Sequence, residues 1–123
     1  MKNSILGLRT TIYLVPDMAK ARAWYIKAFG KDPYFDEPFY IGFNIGGYEL
    51  GLFPEKENQQ RGDNVESYWG VEDIYAEHKR FLELGAKEHT PIKDVGGDIL
   101  VTTIYDPWNN LIGLIYNPHF TLP

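Results

Sequence analysis

The chain repeats itself. The stretch "LVPDMAKARAWY" can be laid over "GVEDIYAEHKRF", so that Val15 and Asp17 fall on Val71 and Asp73, both at an offset of 56 residues. Each copy reads in the same order: a strand, an aspartate that caps a helix, the helix, then a strand pair. Two copies cannot form a solenoid, which needs about three or more stacked units to bury its core. Two copies instead suggest a pseudo-symmetric α+β sheet curled around a cleft, with each half laying its helix on the convex side.

In the first half, "LRTTIYLVPD" reads as a strand stopped by Pro16, and Met18 opens a helix through "MAKARAWYIKAF" that ends on Gly30. "PYFDEPF" reads as an irregular connection. "YIGFNIGGYELGLF" is a hairpin turning on Gly46 and Gly47. "PEKENQQRGDN" is polar and aperiodic, a linker. In the second half, "SYWGVED" is a strand, "IYAEHKRFLELG" an amphipathic helix ending on Gly85, and "AKEHTPIKDVGG" a connection. "DILVTTIYDPWNNLIGLIYNP" is a second hairpin with "DPWNN" as its turn. The expected organisation is one domain over 1–123: module one at about 5–55, a linker at 56–64 and module two at about 65–118.

Bulk properties narrow the partners. Twelve basic residues against seventeen acidic ones give a net charge of −5, which argues against binding to nucleic acid or an anionic membrane. No cysteine is present, which removes disulfides and thiolate metal sites. No apolar run could span a bilayer, and "MKNSILGLRTTIYLV" lacks the apolar core of a signal peptide, so a cytoplasmic protein is expected. Aromatic residues make up 15% of the chain, enough to line a pocket as well as fill a core.

"VPD" followed by "ARAWYIKAFG", the mid-chain "YELGLF", the second "VEDI" and the late "DPWNN" together resemble the vicinal oxygen chelate superfamily. That superfamily includes glyoxalase I, bleomycin-resistance proteins and extradiol dioxygenases. The resemblance covers roughly residues 5–118 and implies two βαβββ modules in a U-shaped sheet, usually in a homodimer, with the ligand on the concave face. It also implies a divalent metal in the enzymes of the family. The matching ligand positions here are Thr10, seven residues before Asp17; Glu49 in "YEL"; Glu66, five residues before Val71; and Gly113, seven residues after Asp106. Only two of the four carry a carboxylate and none an imidazole, so neither a metal nor another cofactor is expected. His78, His89 and His119 lack the short spacing of a zinc site and read as exposed or locally satisfied.

Strand alternation puts Thr10, Ile12 and Leu14 on one face, Glu66, Tyr68 and Gly70 on another, and pairs Glu49 with Gly51 and Gly113 with Ile115. Glycines at 51, 70 and 113 would leave volume, with Tyr68, Tyr105 and Trp108 as aromatic walls. The expected ligand-binding residues are therefore Thr10, Ile12, Glu49, Glu66, Tyr68, Tyr105, Trp108 and Gly113. Carboxylates beside aromatic rings suit a cationic or aromatic small molecule. The sequence thus points to a metal-free binding protein, for instance one that sequesters a drug or toxin. The alternatives are a lyase or isomerase with an atypical carboxylate metal site, a metal-free enzyme using Glu66 as general base, a non-enzymatic partner-binding domain whose aromatics form an interface, or a Glu49 that merely pairs with Arg9 or Arg22 or stays solvated.

Overall fold

A computed structural model describes residues 4, 6–60, 62 and 64–122. The remaining positions, which include the start of the expected first module and part of the expected linker, lie outside the described residues. The chain divides into two compact units, Met1–Gln59 and Gln60–Pro123. Unit one runs β1 (Thr10–Val15), α1 (Met18–Phe29), β2 (Phe35–Glu37), β3 (Tyr40–Ile45) and β4 (Tyr48–Pro54). Unit two runs β5 (Tyr68–Gly70), α2 (Ile74–Glu83), β6 (Lys87–Asp94), β7 (Leu100–Tyr105) and β8 (Leu111–Tyr116). Each is a βαβββ unit with a four-stranded mixed sheet, ordered β1-β4-β3-β2 and β5-β8-β7-β6, so the α+β class and the two modules read from the sequence are present. No helix among the described residues is long and apolar enough to cross a membrane.

The repeated aspartates act as expected. Asp17 accepts the Lys20 N–H at 3.0 Å and Asp73 the Ala76 N–H at 3.1 Å, each satisfying one orphan donor of its helix. Gly30 closes α1 in the left-handed region at φ 68°. Gly85, at φ 103°, donates to the Leu82 carbonyl while Ala86 donates to that of Phe81, which completes a Schellman motif after α2. Gly46 and Gly47 both have positive φ in the β3–β4 turn, as a tight hairpin requires.

Two expected connections contain strands. Residues 35–37 of "PYFDEPF" form β2, and most of "AKEHTPIKDVGG" forms β6. Both lie at sheet edges, where exposed charge and proline are tolerated and no apolar alternation is needed. Pro91 and two register shifts in β6 further hide the pattern.

The core of unit one follows from alternation. Tyr13 stacks on Tyr25 of α1 at 5.8 Å between ring centroids, which fixes the helix-facing side of β1. Register then carries that side through Leu50 and Leu52 on β4 to Phe43 and Ile41 on β3, all fully or nearly fully buried. The opposite face holds Thr10, Ile12, Glu49, Gly51, Phe53, Tyr40, Gly42 and Asn44. In unit two, Trp69 is the repeat partner of Tyr13. Its register row leads to Leu114 and Thr102, with Ile112 and Ile104 on the same side beside the buried Ile74 and Phe81 of α2.

Register also shows what Gly113 does. Ile12 pairs with Gly51 on β4, and Tyr68, 56 residues later, pairs with Gly113 on β8. Each glycine lies beneath a tyrosine ring. A Cβ at 51 would meet Tyr40 Cε1 and Cζ at 2.8 Å; one at 113 would meet Tyr68 Cδ1 at 2.6 Å and the Ser67 carbonyl oxygen at 2.6 Å. The volume expected at these two positions is thus occupied by rings, whereas nothing lies within 4 Å of a Cβ at Gly70. The two contacts separate experimentally. Gly51→Ala is expected to cost about 1–3 kcal/mol from overpacking, and the cost to vanish when the same change is made in Tyr40→Ala protein. Gly113→Ala should cost a similar amount and keep part of that cost in Tyr68→Ala protein, because the Ser67 carbonyl remains. Urea titration of the single and double variants reads both cycles.

Candidate functional site

The open face of unit one is organised around Glu49. Its carboxylate is half-buried and takes three hydroxyl donors. Tyr34 donates to Oε2 at 2.8 Å, Tyr40 donates to Oε2 at 2.9 Å, and Thr10 donates to Oε1 at 3.3 Å. Thr10 faces Glu49 because β1 and β4 pair in parallel with these two residues in register. Tyr40 comes from β3, and Tyr34 from the segment after α1, tied to β3 by its N–H on the Gly42 carbonyl at 2.9 Å. Gly42 makes the cluster possible, since a Cβ there would sit 2.8 Å from Glu49 Oε2.

No cation neutralises this carboxylate among the described residues. Arg22 pairs instead with Asp36 at 2.6 Å, and Arg9 turns its Nη1 to the carbonyls of Leu6 and Leu8 at 3.0 and 3.3 Å. The two arginines considered from sequence are therefore engaged elsewhere. Beside Glu49 lies a shallow depression of about 220 Å³, lined by Arg9, Thr10, Tyr34, Asn44, Tyr48 and Glu49 itself. Aromatic rings continue along this face, with Tyr40 against Phe53 and Phe35 at 6.3 and 6.1 Å between centroids. Ile12 is exposed on the same face.

In unit two, Tyr68 lays its ring over Gly113 and donates its hydroxyl to Glu66 Oε1 at 2.8 Å. Thr103, the register partner of Gly113 on β7, contacts His89 Nδ1 at 3.0 Å and Thr90 Oγ1 at 2.6 Å. Tyr105 packs edge-on against His89 at 4.9 Å. Trp108 sits in the β7–β8 turn, off the strand faces, with its N–H on Asp106 at 2.9 Å. The eight residues singled out from sequence thus fall into two groups: Thr10, Ile12 and Glu49 on unit one, and Glu66, Tyr68, Tyr105, Trp108 and Gly113 on unit two. Sequence reasoning missed Tyr34 and Tyr40, the donors that hold Glu49, and the threonines around His89. The other histidines are locally engaged. His119 Nε2 meets the Gly97 carbonyl at 2.7 Å, and His78 Nε2 lies 3.0 Å from Glu88 Oε1, close enough for an ion pair but outside hydrogen-bond geometry.

The residues at the family's ligand positions do not fit a divalent metal. Gly113 has no donor atom and is covered by a ring. Thr10 offers only a neutral hydroxyl, already given to Glu49, which leaves Glu49 as the one charged group at the unit-one positions. Among the described residues no three His, Asp or Glu side chains are grouped as an ion would need.

An α+β chain of two βαβββ units, each with its helix packed on one side of a mixed sheet, leaves the opposite sheet face of each unit free of helix. The chain belongs to the glyoxalase/bleomycin resistance protein/dioxygenase superfamily, whose family model matches residues 7–114. Among solved structures it is similar to a glyoxalase-related enzyme from Fulvimarina pelagi, with a TM-score of 0.79 at 15% identity over 97% of this chain and 94% of that one. It is also similar to the fosfomycin resistance protein FosX from Mesorhizobium loti, with a TM-score of 0.71 at 17% identity over 94% and 95%. A third is a FosX mutant from Listeria monocytogenes complexed with Mn(II) and 1S,2S-dihydroxypropylphosphonic acid, with a TM-score of 0.73 at 20% identity over 89% of each chain. At these identities the likeness concerns the fold. No curated protein matches the sequence.

The tyrosines are held as hydroxyl donors. Burial first, and then Glu66, pushes Tyr68 up from 10.0 to about 12. Tyr40 is raised further, again by burial first and then by its bond to Glu49, while Tyr34 is raised chiefly by its own bond to Glu49. A raised folded-state value means that Tyr68 contributes its stability fully below about pH 10 and loses it as the pH climbs toward about 12. Phenolate absorbance should therefore show a late-titrating group that Glu66→Gln moves down, though not back to the ordinary value, because burial is the larger cause.

Proposed function

We propose that this protein binds a small amine-bearing ligand on the open face of unit one, without a metal, and that Glu49 is the group that receives the ammonium. The observation that carries this is a half-buried carboxylate whose hydrogen-bond partners are all neutral hydroxyls. Hydroxyl donors orient a carboxylate without neutralising it, so the charge stays available to a cation. The rings of Tyr34 and Tyr40, whose hydroxyls donate to it, stand beside it, where cation–π contact adds to Coulomb attraction.

Size limits the ligand. Drug-sized pockets run about 300–1,000 Å³, and the depression here is about 220 Å³. It suits a fragment-sized amine, or the amine end of a larger molecule. A charge pair at 4 Å is worth about 1 kcal/mol in water and about 4 kcal/mol near a protein surface, so binding in the high-micromolar to millimolar range is expected. Arg9 on the rim opposes a cation and tunes the affinity downward. The metal-dependent alternative loses support because the matched positions supply no third ligand. The general-base alternative gains none, because Glu66 is exposed and already accepts a hydroxyl. The proposal includes a cytoplasmic homodimer, in which the exposed Phe35 and Phe39 would find cover.

Calorimetric titration with benzylamine tests the assignment. Glu49→Gln should weaken binding about tenfold or more, equivalent to about 1.4 kcal/mol, and Arg9→Gln should tighten it. Equal affinity in wild type and Glu49→Gln would overturn the proposal. So would one zinc or manganese ion per chain that survives dialysis and disappears in Glu49→Gln.

A further inference from the structure

Two residues that line the depression beside Glu49 carry donors that a simple amine leaves unused. The first is Asn44, the register partner of Glu49 across β3 and β4, on the same open face. Directly opposed residues of an antiparallel pair hold their Cβ atoms about 4.5–5.5 Å apart, so the Asn44 amide springs from beside the carboxylate. The Gly47 N–H donates to Asn44 Oδ1 at 2.8 Å. Only an oxygen can accept that bond, which settles the orientation of the amide. Oδ1 is spent on the β3–β4 turn, and Nδ2 keeps both of its protons. Nδ2 meets no acceptor among the described residues.

The second is Arg9. Its carbonyl accepts the Glu49 N–H at 2.8 Å, which places the two residues side by side in the lining. Its Nη1 is anchored on the carbonyls of Leu6 and Leu8 at 3.0 and 3.3 Å. The rest of the guanidinium has no partner among the described residues, and no carboxylate neutralises it there.

The depression therefore presents a carboxylate, an oriented pair of amide protons and a guanidinium. Glu49 and Arg9 contribute one charge of each sign and are not paired with one another. A plain amine satisfies the first charge and is opposed by the second. A ligand with an ammonium and a carboxylate satisfies both, and its oxygens also use the Asn44 protons.

We infer that the ligand of this site is a zwitterion of the amino-acid class, its ammonium on Glu49 and its carboxylate on Asn44 Nδ2 and the Arg9 guanidinium. The inference rests on Glu49 as the ammonium acceptor and adds what the ligand carries next to its amine. Because Asn44 and Glu49 face each other directly, the carboxylate belongs on the carbon that bears the amine rather than at the far end of a chain.

Calorimetric titration with phenylglycine beside benzylamine tests this, since phenylglycine is benzylamine with a carboxylate on the amine-bearing carbon. Phenylglycine should bind the full chain about tenfold tighter, the worth of one charge-assisted hydrogen bond. Asn44→Asp keeps the acceptor for Gly47 and replaces the amide protons with a charge, so it should weaken phenylglycine and tighten benzylamine. Arg9→Gln should invert the two ligands in the same sense. A tightened benzylamine also shows that each variant is folded. Phenylglycine binding no tighter than benzylamine, while benzylamine still depends on Glu49, would overturn this inference and leave the amine site standing. So would an advantage of phenylglycine that survives both variants, or phenylacetate, which lacks the ammonium, binding as well as phenylglycine. Benzylamine binding that ignores Glu49→Gln would remove the amine site itself and this inference with it.

Discussion

A glycine in the middle of a central strand, with a tyrosine ring laid over it, is the constraint on which both sheet faces depend. Gly51 and Gly113 occupy equivalent positions in their units, as the parallel register partners of the repeat-related Ile12 and Tyr68. A glycine there gives up backbone stability. In return the ring comes down onto the backbone and its hydroxyl reaches sideways to a carboxylate: Tyr40 to Glu49, Tyr68 to Glu66. The ring can come from different strands, β3 in one unit and β5 in the other, because what the site requires is the empty position beneath it.

This changes the meaning of Gly113. Against the family pattern, its lack of a side chain is a missing ligand. In the fold it is a seat for Tyr68, and the Ser67 carbonyl closes the remaining space. Restoring a carboxylate at 113 would therefore require moving a ring and a piece of backbone. Position 113 is thus filled by packing rather than left open by one missing side chain.

The architecture was legible because it is written in local signals that occur twice. Asp17 and Asp73 before apolar-periodic helices, Gly30 and Gly85 after them, and the Gly46–Gly47 turn each have a short-range cause. The edge strands were not legible. β6 carries Lys87, Glu88, Lys93, Asp94 and Pro91, a composition that reads as a loop and is what keeps an edge from pairing with other chains. Glu49 stood out from sequence, but its donors did not. Tyr34 and Tyr40 reach it only through the β3–β4 register and the return of the chain after α1, and neither has a signal within a short window. The threonines around His89 were hidden for the same reason. A bulge sets which of Glu88, His89 and Thr90 faces Thr103, and no periodicity marks a bulge in advance.

Hydroxyl groups order the polar side chains on both faces. Around Glu49 the hydroxyl protons all point inward to a carboxylate, so the face presents negative charge to whatever approaches. Around His89 the hydroxyls of Thr90 and Thr103 tie the bulged stretch of β6 to β7 and to the imidazole Nδ1. Hydroxyls are suited to both tasks because each gives one proton and accepts others, and the direction of the chain is set by where it ends. Two copies of one βαβββ unit thus keep a glycine beneath a tyrosine ring while their hydroxyls serve different partners, a carboxylate in one and an imidazole in the other.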